Sequence, residues 1–269
     1  MDNKNAQFAG SIPAAYDKYL GPLFFEPYAE DLAARLHAPE NSSVLEVACG
    51  TGILTRILRE RLPRSVALTA TDLNEPMMRH AAGKFTGDEA IVWKQADACS
   101  LPFPDEVFDA VICQFGVMFV PDKALCAREA RRVLKPGGAF LFNVWDSLAE
   151  NPLGKIPHET IARYFEKDPP AFYQVPFGYH DQAEIKRVLE GAGFRDVRIE
   201  LVSKNSGNTR VEDAATGLVQ GTPVSVAIAE RDASLLPIIT EAVGRALEKQ
   251  FGGPSFRAPM RAIVVEARR

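Results

Sequence analysis

The sequence predicts an α/β protein built on a doubly wound, mostly parallel sheet. Two observations carry this. Short apolar strand patterns alternate with amphipathic helix patterns between residues 40 and 146, and the first strand runs into a glycine turn that opens a helix. Strand–helix alternation gives right-handed crossovers and a parallel sheet. Ligands of such sheets lie at the carboxyl ends of the strands, so function is sought just after each strand.

The elements follow in order. Residues 8–38 are helical in pattern and aromatic (Phe8, Tyr16, Tyr19, Phe24, Phe25, Tyr28), and Pro39 closes them. Val44, Leu45 and Val47 make the first strand; Leu54, Ile57, Leu58 and Leu62 follow at helical spacing. Residues 66–71 read as a second strand, and Asn74 is placed to cap the next helix, with Pro76 in its first turn. Residues 90–96 and 108–114 read as the third and fourth strands. Asp122 caps a helix carrying Cys126, Ala130, Val133 and Leu134 on one face. Lys135-Pro136-Gly137-Gly138 is expected to end it, with the cation in the last turn. Residues 139–145 are the fifth strand.

Beyond residue 146 the pattern changes. Residues 147–180 are rich in Pro and aromatics, with one helical stretch around Ile161, Tyr164 and Phe165. Ile185, Val188, Leu189 and Ala192 mark a helix, and Val197, Ile199 and Leu201 a strand. A mostly helical stretch then carries Leu235, Ile239, Ala242 and Ala246 on one face, before a last strand through Ile263, Val265 and Ala267. The organisation expected is an N-terminal helical segment over the site (1–39), a core (40–146), a first cap insert (147–180), a helical cap insert (204–256), and the rest of the sheet (181–203 and 257–269).

The chain has 269 residues, 46 % hydrophobic and 25 % charged, which suits one α/β domain with insertions. A net charge of -4 argues against a nucleic-acid partner bound through phosphates. Cys49, Cys99, Cys113 and Cys126 form no C-x-x-C pair, and no His stands at metal-ligand spacing beside them, so reduced thiols and no metal are expected. Residues 1–5 lack the pattern of a signal peptide, and no apolar run reaches the ~18 residues of a membrane span. A cytoplasmic monomer or homodimer acting on a small molecule is expected.

The most informative segment is Val44-Leu45-Glu46-Val47-Ala48-Cys49-Gly50-Thr51-Gly52. Gly50 and Gly52 allow positive φ and remove Cβ atoms that would block a ligand, and the following helix offers free N–H groups. Glu46 repels a pyrophosphate but welcomes a cation. A dinucleotide fingerprint needs glycine at position 55, where this chain has Thr55. Asp72, at the end of strand two, is placed to accept ribose hydroxyls. As a cleft-facing residue it is expected to carry little packing. Asp97-Ala98 follows strand three, where a carboxylate can take an adenine amino proton and a small neighbour lets a ring lie flat. Leu73 and Met77 are placed to sandwich that ring.

The segments VLEVACGTG, ATDLNEPMM, KQADACSLPF, FDAVICQFGVMFVPD and EARRVLKPGGAFLFNVWD occur in this order. Together they resemble the class I S-adenosylmethionine-dependent methyltransferase family, in its UbiE-like, methyltransferase type 11 subgroup. The resemblance covers about residues 40–146. It implies a Rossmann-like, seven-stranded sheet with an antiparallel last strand, and S-adenosyl-L-methionine as cofactor. It implies that Glu46 and the turn through Gly52 hold the methionine part, Asp72 the ribose and Asp97 the adenine amine. The backbone near Gln114 and Phe115 would face the methionine part and the acceptor. Ala48 departs from the glycine of many members, which points to a tighter turn.

Methyl transfer needs alignment and a dry site more than a base. No catalytic side chain stands out; His158, His180 and Tyr16 are candidates, and Tyr16 and Tyr19 are placed to close over the cofactor. The aromatic cap favours a hydrophobic or aromatic small acceptor. The alternatives are a protein that binds S-adenosylmethionine without turnover and an NAD-type oxidoreductase, the latter opposed by Thr55 and Glu46. No G-x-S-x-G elbow supports a hydrolase.

Overall fold

A computed structural model describes residues 12–269 together with Phe8 and Gly10. The predicted alternation becomes β1 (Ser43–Val47), α3 (Ile53–Arg61), β2 (Ala67–Asp72), α4 (Glu75–Ala82), β3 (Ile91–Gln95), β4 (Phe108–Gln114), α5 (Lys123–Val133) and β5 (Leu134–Trp145). These five strands pair in parallel. Two more complete the sheet, β6 (Arg195–Asn205) and β9 (Pro259–Arg268), in the order β3-β2-β1-β4-β5-β9-β6. β9 runs antiparallel to both β5 and β6. The last strand is therefore the antiparallel one, as expected.

The order reverses beside β1: β2 and β3 lie on one side, β4 and β5 on the other. Right-handed crossovers then put α3 and α5 on opposite faces, and a crevice opens where the chain leaves β1 and β4. Cover on both faces explains why β1 and β4 read as nearly continuous apolar runs.

Several local expectations are corrected. Asp122 does cap α5, accepting the Leu125 N–H at 2.8 Å. But α5 ends at Val133 with Arg131 and Arg132 as its last-turn cations, and Lys135–Gly138 already belong to β5. Pro136 has no N–H and a fixed φ, which suits an edge of extended chain better than a helix end. Lys135 instead pairs with Asp109 at 2.8 Å. Asn74 stands at the N-cap of α4, but its side chain does not bond to that helix; its Oδ1 accepts the Phe8 N–H at 3.2 Å. Tyr164 and Phe165 fall just past the helix α6 (Pro152–Ala162).

The N-terminal helix is not uniform. It runs as α1 (Ile12–Ala15), a π-helical segment (Tyr16–Phe25) and α2 (Glu26–Arg35). Gly21-Pro22 lies inside the wide segment. Proline lacks the N–H for an α-helical bond and crowds the preceding turn, and a widened helix relieves both. Gly207 packs against this backbone: a Cβ there would lie 2.3 Å from the Pro22 oxygen.

The later helices are α7 (Gln182–Gly191), α8 (Val211–Gln220), α9 (Val224–Asp232) and α10 (Leu235–Phe251), with a two-stranded ribbon of β7 (Thr209–Arg210) and β8 (Ser255–Phe256). α8 lies on the π-helical segment, and Gly217 makes the contact close, since a Cβ there would meet the Tyr19 Cβ at 2.7 Å. α10 packs on α8 and α6. Its buried face is Ile239, Val243, Gly244 and Leu247, rotated from the expected stripe, so Ala242 and Ala246 are only half-buried. The rotation turns Gly244 toward Val211 and Ala215 of α8.

Candidate functional site

A cavity of about 460 Å³ opens at the carboxyl ends of β1 to β4. Its floor is made by two turns. After β1 the backbone turns through Ala48 (φ +55°), Gly50 (φ +55°) and Gly52 (φ +80°); after β4 it turns at Phe115 (φ +50°). Left-handed conformations at Ala and Phe are costly and persist where surroundings enforce them. Asn143 Oδ1 accepts the Phe115 N–H at 2.9 Å, and the Phe115 ring stacks on Trp145 at 3.9 Å. The two turns also interlock. A Cβ on Gly116 would lie 2.5 Å from the Ala48 Cβ and 2.7 Å from the Cys113 Sγ.

Asp72 ties the first turn to β2. Its Oδ2 accepts the Gly50 N–H at 2.8 Å and its Oδ1 the Asn74 N–H at 2.7 Å. Burial pushes its carboxyl above the ordinary range, while those N–H groups pull the other way. Asp97 is exposed at the cavity rim and accepts the Cys99 N–H. Leu73, Met77, Ala98, Gln114 and Phe115 line the same cavity, as do Ala48 and Gly50.

Glu46 lies in a recess of about 30 Å³ that shares Tyr16, Ala48, Gly50 and Gln114 with the main cavity. It is 1 % exposed, and its Oε2 has no hydrogen-bond partner among the described residues. Burial, only partly offset by Thr55, pushes its carboxyl up to about 8. The sign of the stability effect follows. The unfolded chain releases this proton near the ordinary value of 4.5, while the fold keeps it to about 8. Between those values the unfolded state binds fewer protons, so stability declines as pH rises. Glu46→Gln is therefore expected to match the wild type near pH 4.5 and to exceed it progressively toward pH 8 in thermal midpoint without ligand. A gap that stays constant over that window would show an ordinary carboxylate.

The structure redistributes the remaining sequence candidates. Gly52 is not on the cavity wall: a Cβ there would meet the Ala81 Cβ of α4 at 3.0 Å, so this glycine serves helix packing. Tyr19 faces α8 instead of the cavity, with Lys18 over its ring at 4.8 Å. Neither His158 nor His180 lines the cavity. His180 is exposed and bonds to the Phe177 carbonyl, and His158 sits on α6. Tyr16 does line it, and burial holds its phenol well above the ordinary range, so it is a neutral donor.

Sequence reasoning missed Phe8, Phe119, Val120, Pro121 and Gly116 on the cavity wall. The signal for the last four was the stretch after β4, where QFGVMFVP keeps apolar bulk beyond the end of a strand. With Tyr16, Phe25 and Phe115 these make an aromatic wall. Phe8 packs edge-on against Tyr16 and Phe119, and Tyr16 stacks on Phe25 at 4.8 Å. No residue after Pro121 lines the cavity; the later insert reaches it indirectly, through Phe172 stacked on Phe119. His80 of α4 and Lys84, just past its end, hold Asp17, next to Tyr16, at 3.3 and 2.7 Å. Among the described residues no group of His, Cys, Asp or Glu is arranged to hold a metal ion, and no helix is long and apolar enough to cross a membrane.

Comparison with known proteins gives this geometry a family. Residues 45–142 match the family described as a methyltransferase domain. A demethylmenaquinone methyltransferase of Staphylococcus aureus is 29 % identical over 210 residues, covering 70 % of this chain and 84 % of the relative. Among solved structures, a geranyl diphosphate C-methyltransferase from Streptomyces coelicolor matches with a TM-score of 0.53 at 16 % identity, over 90 % of this chain and 78 % of that one. A phosphoethanolamine N-methyltransferase 2 of Haemonchus contortus matches at 0.61 and 16 %, over 96 % and 56 %. The two structures share the fold, while the domain match falls on the segments that build the two interlocked turns. Residues 45–142 thus carry a methyltransferase domain, and the chain resembles the UbiE-like, type 11 subgroup of the class I S-adenosylmethionine-dependent methyltransferases.

Proposed function

We propose that this protein transfers a methyl group from S-adenosylmethionine to a small hydrophobic or aromatic acceptor, of which a quinone in its reduced, phenolic form is the best-supported kind. The observation that carries the reading is the mixed lining of the cavity: Asp72, Asp97 and, in the adjoining recess, Glu46 stand with the rings of Phe8, Tyr16, Phe115 and Phe119. The residues fit the cofactor. Glu46 offers a buried carboxylate oxygen without a partner, which an ammonium group would satisfy. A Cβ on Gly50 would have only the Met77 Cε near it, at 3.8 Å, so the backbone there is open to a ligand. Glu46 and the turn Ala48–Gly50 would hold the methionine part, Asp72 the ribose, and Asp97, Ala98, Leu73 and Met77 the adenine. When bound, the cofactor would supply a methyl group activated on a sulfonium, with S-adenosylhomocysteine as the leaving group and the acceptor's displaced proton passing to solvent.

The chain's own work is alignment and exclusion of water. Effective molarity supplies about 7–11 kcal/mol of such a barrier when geometry is fixed. Phe115 stacked on Trp145 makes a stiff floor, and Phe8, Tyr16 and Phe119 complete the aromatic wall above it. The helical segments 147–180 and 204–256 act as cover at one remove. The packing of α8 on the π-helical segment and the Phe172–Phe119 stack support this. The name of the Staphylococcus aureus relative supports a quinone-type acceptor. The four free cysteines suit a reducing, cytoplasmic setting.

The test is binding followed by turnover. S-adenosylhomocysteine at about 100 times its Kd is expected to stabilise the fold by about 2.7 kcal/mol. Labelled methyl is expected to reach reduced naphthoquinones in preference to amines or nucleic acid. No heat and no thermal shift at millimolar cofactor, or a larger shift with NADH, overturns the reading.

A further inference from the structure

The uncommitted oxygen of Gln114 deepens the proposed reading and rests on it. Gln114 ends β4 opposite Asn143 of β5, which fixes its backbone at the cavity floor. Its Nε2 donates to the Phe25 carbonyl at 2.8 Å. A carbonyl only accepts, so the orientation of this carboxamide is settled by its partner. The other end, Oε1, accepts nothing from the described residues, yet it is not sealed in the core. The residue lines both the main cavity and the Glu46 recess. An acceptor-only oxygen therefore stands at the junction of the Glu46 recess and the main cavity.

The groups around it narrow what that oxygen serves. Glu46 already provides an unpartnered anion for a cation, and Asp72 and Asp97 are spaced along the opposite side. Beside Gln114 the wall is Phe8, Tyr16, Phe115 and Phe119. The Tyr16 phenol stays neutral and gives the same zone a donor. A ring held there meets aromatic faces, one donor and one acceptor. We propose that Gln114 Oε1 is an acceptor-binding group that receives a hydrogen bond from a hydroxyl on the methyl acceptor, so that the site selects aromatic alcohols over their ethers. An ether oxygen in that position would set lone pair against lone pair and leave Oε1 desolvated without a partner, which is the stronger basis for discrimination.

The experiment is calorimetry on the full-length protein saturated with S-adenosylhomocysteine, titrated with 1-naphthol and with 1-methoxynaphthalene. The wild type is expected to prefer the naphthol by about tenfold, the value of one hydrogen bond at about 1.4 kcal/mol. In Gln114→Met, similar in length and without the oxygen, the preference is expected to fall to about one. The ratio, not either affinity, is the readout, because losing the tie to Phe25 weakens both ligands alike. A variant that keeps the tenfold preference, or a wild type that binds both or neither equally, overturns the assignment. So does a variant whose main loss is in cofactor affinity, which would give the oxygen to the cofactor. Failure of the wild type to bind S-adenosylhomocysteine is a separate result and removes the proposed function itself.

Discussion

Gly116→Ala is expected to lower cofactor affinity by at least tenfold and to destabilise the fold by about 1–3 kcal/mol, the usual range for overpacking. The added methyl would sit 2.5 Å from the Ala48 Cβ and 2.7 Å from the Cys113 Sγ. Neither neighbour is a flexible side-chain end free to swing away. Ala48 is part of a turn at φ +55°, and Cys113 is 1 % exposed within β4. Relief has to come from the turns, and they are the floor of the cavity. The clash names its own suppressor. Ala48→Gly removes the closer contact and relaxes a left-handed alanine, which ordinarily costs about 1–2 kcal/mol. The double variant is expected to recover most of the affinity and part of the stability, since the Cys113 contact remains. A double-mutant cycle in urea and by calorimetry checks both. Strict additivity would mean that the turns do not interlock.

That pair shows where the sequence was legible and where it was not. The presence of alanine at position 48 pointed to a tighter turn. The compensating glycine sits at position 116, in the turn after β4, and no local pattern links the two. The strands of the core were readable because two-sided burial leaves apolar runs bounded by turn residues. The end of α5 was not, because Lys135-Pro136-Gly137-Gly138 satisfies the rules for a helix end while the chain spends it on the start of β5. Glu46 and Asp72 stand in the last residues of β1 and β2 and Asp97 just past β3, so topology alone brings them to one edge of the sheet. Tyr19, His158 and His180 depend on which way a helix faces after tertiary packing. Here Gly217, an α8 residue nearly two hundred positions away, turns Tyr19 from the cavity. The aromatic wall was half visible: its members were noticed as an aromatic helix, but its closure by Phe115 and Phe119 needs the sheet order.

Asp72→Ala is expected to damage both binding and folding, against the expectation that a cleft-facing aspartate can be lost without structural cost. Each carboxylate oxygen already holds one backbone donor, Gly50 N–H on one side and Asn74 N–H on the other. The residue is 6 % exposed, so water does not freely replace it. Two buried donors left unpaired cost about 1–3 kcal/mol each. A loss of about 2–4 kcal/mol in urea unfolding without ligand follows, after the relief of desolvating one carboxylate is set against it. Binding falls for a second reason. A carboxylate offers about four lone-pair sites, and the backbone uses two, which leaves the remainder for ribose hydroxyls. Losing them is expected to weaken S-adenosylhomocysteine by about 10- to 1000-fold. The two effects separate by temperature. Well below the variant's thermal midpoint the fold is fully formed, so calorimetry there reads the contact loss plus any loosening of the Gly50 turn. An unchanged unfolding energy would show that the turn does not depend on Asp72. An unchanged dissociation constant would remove it from the ribose site, leaving a purely structural clasp between β1 and β2.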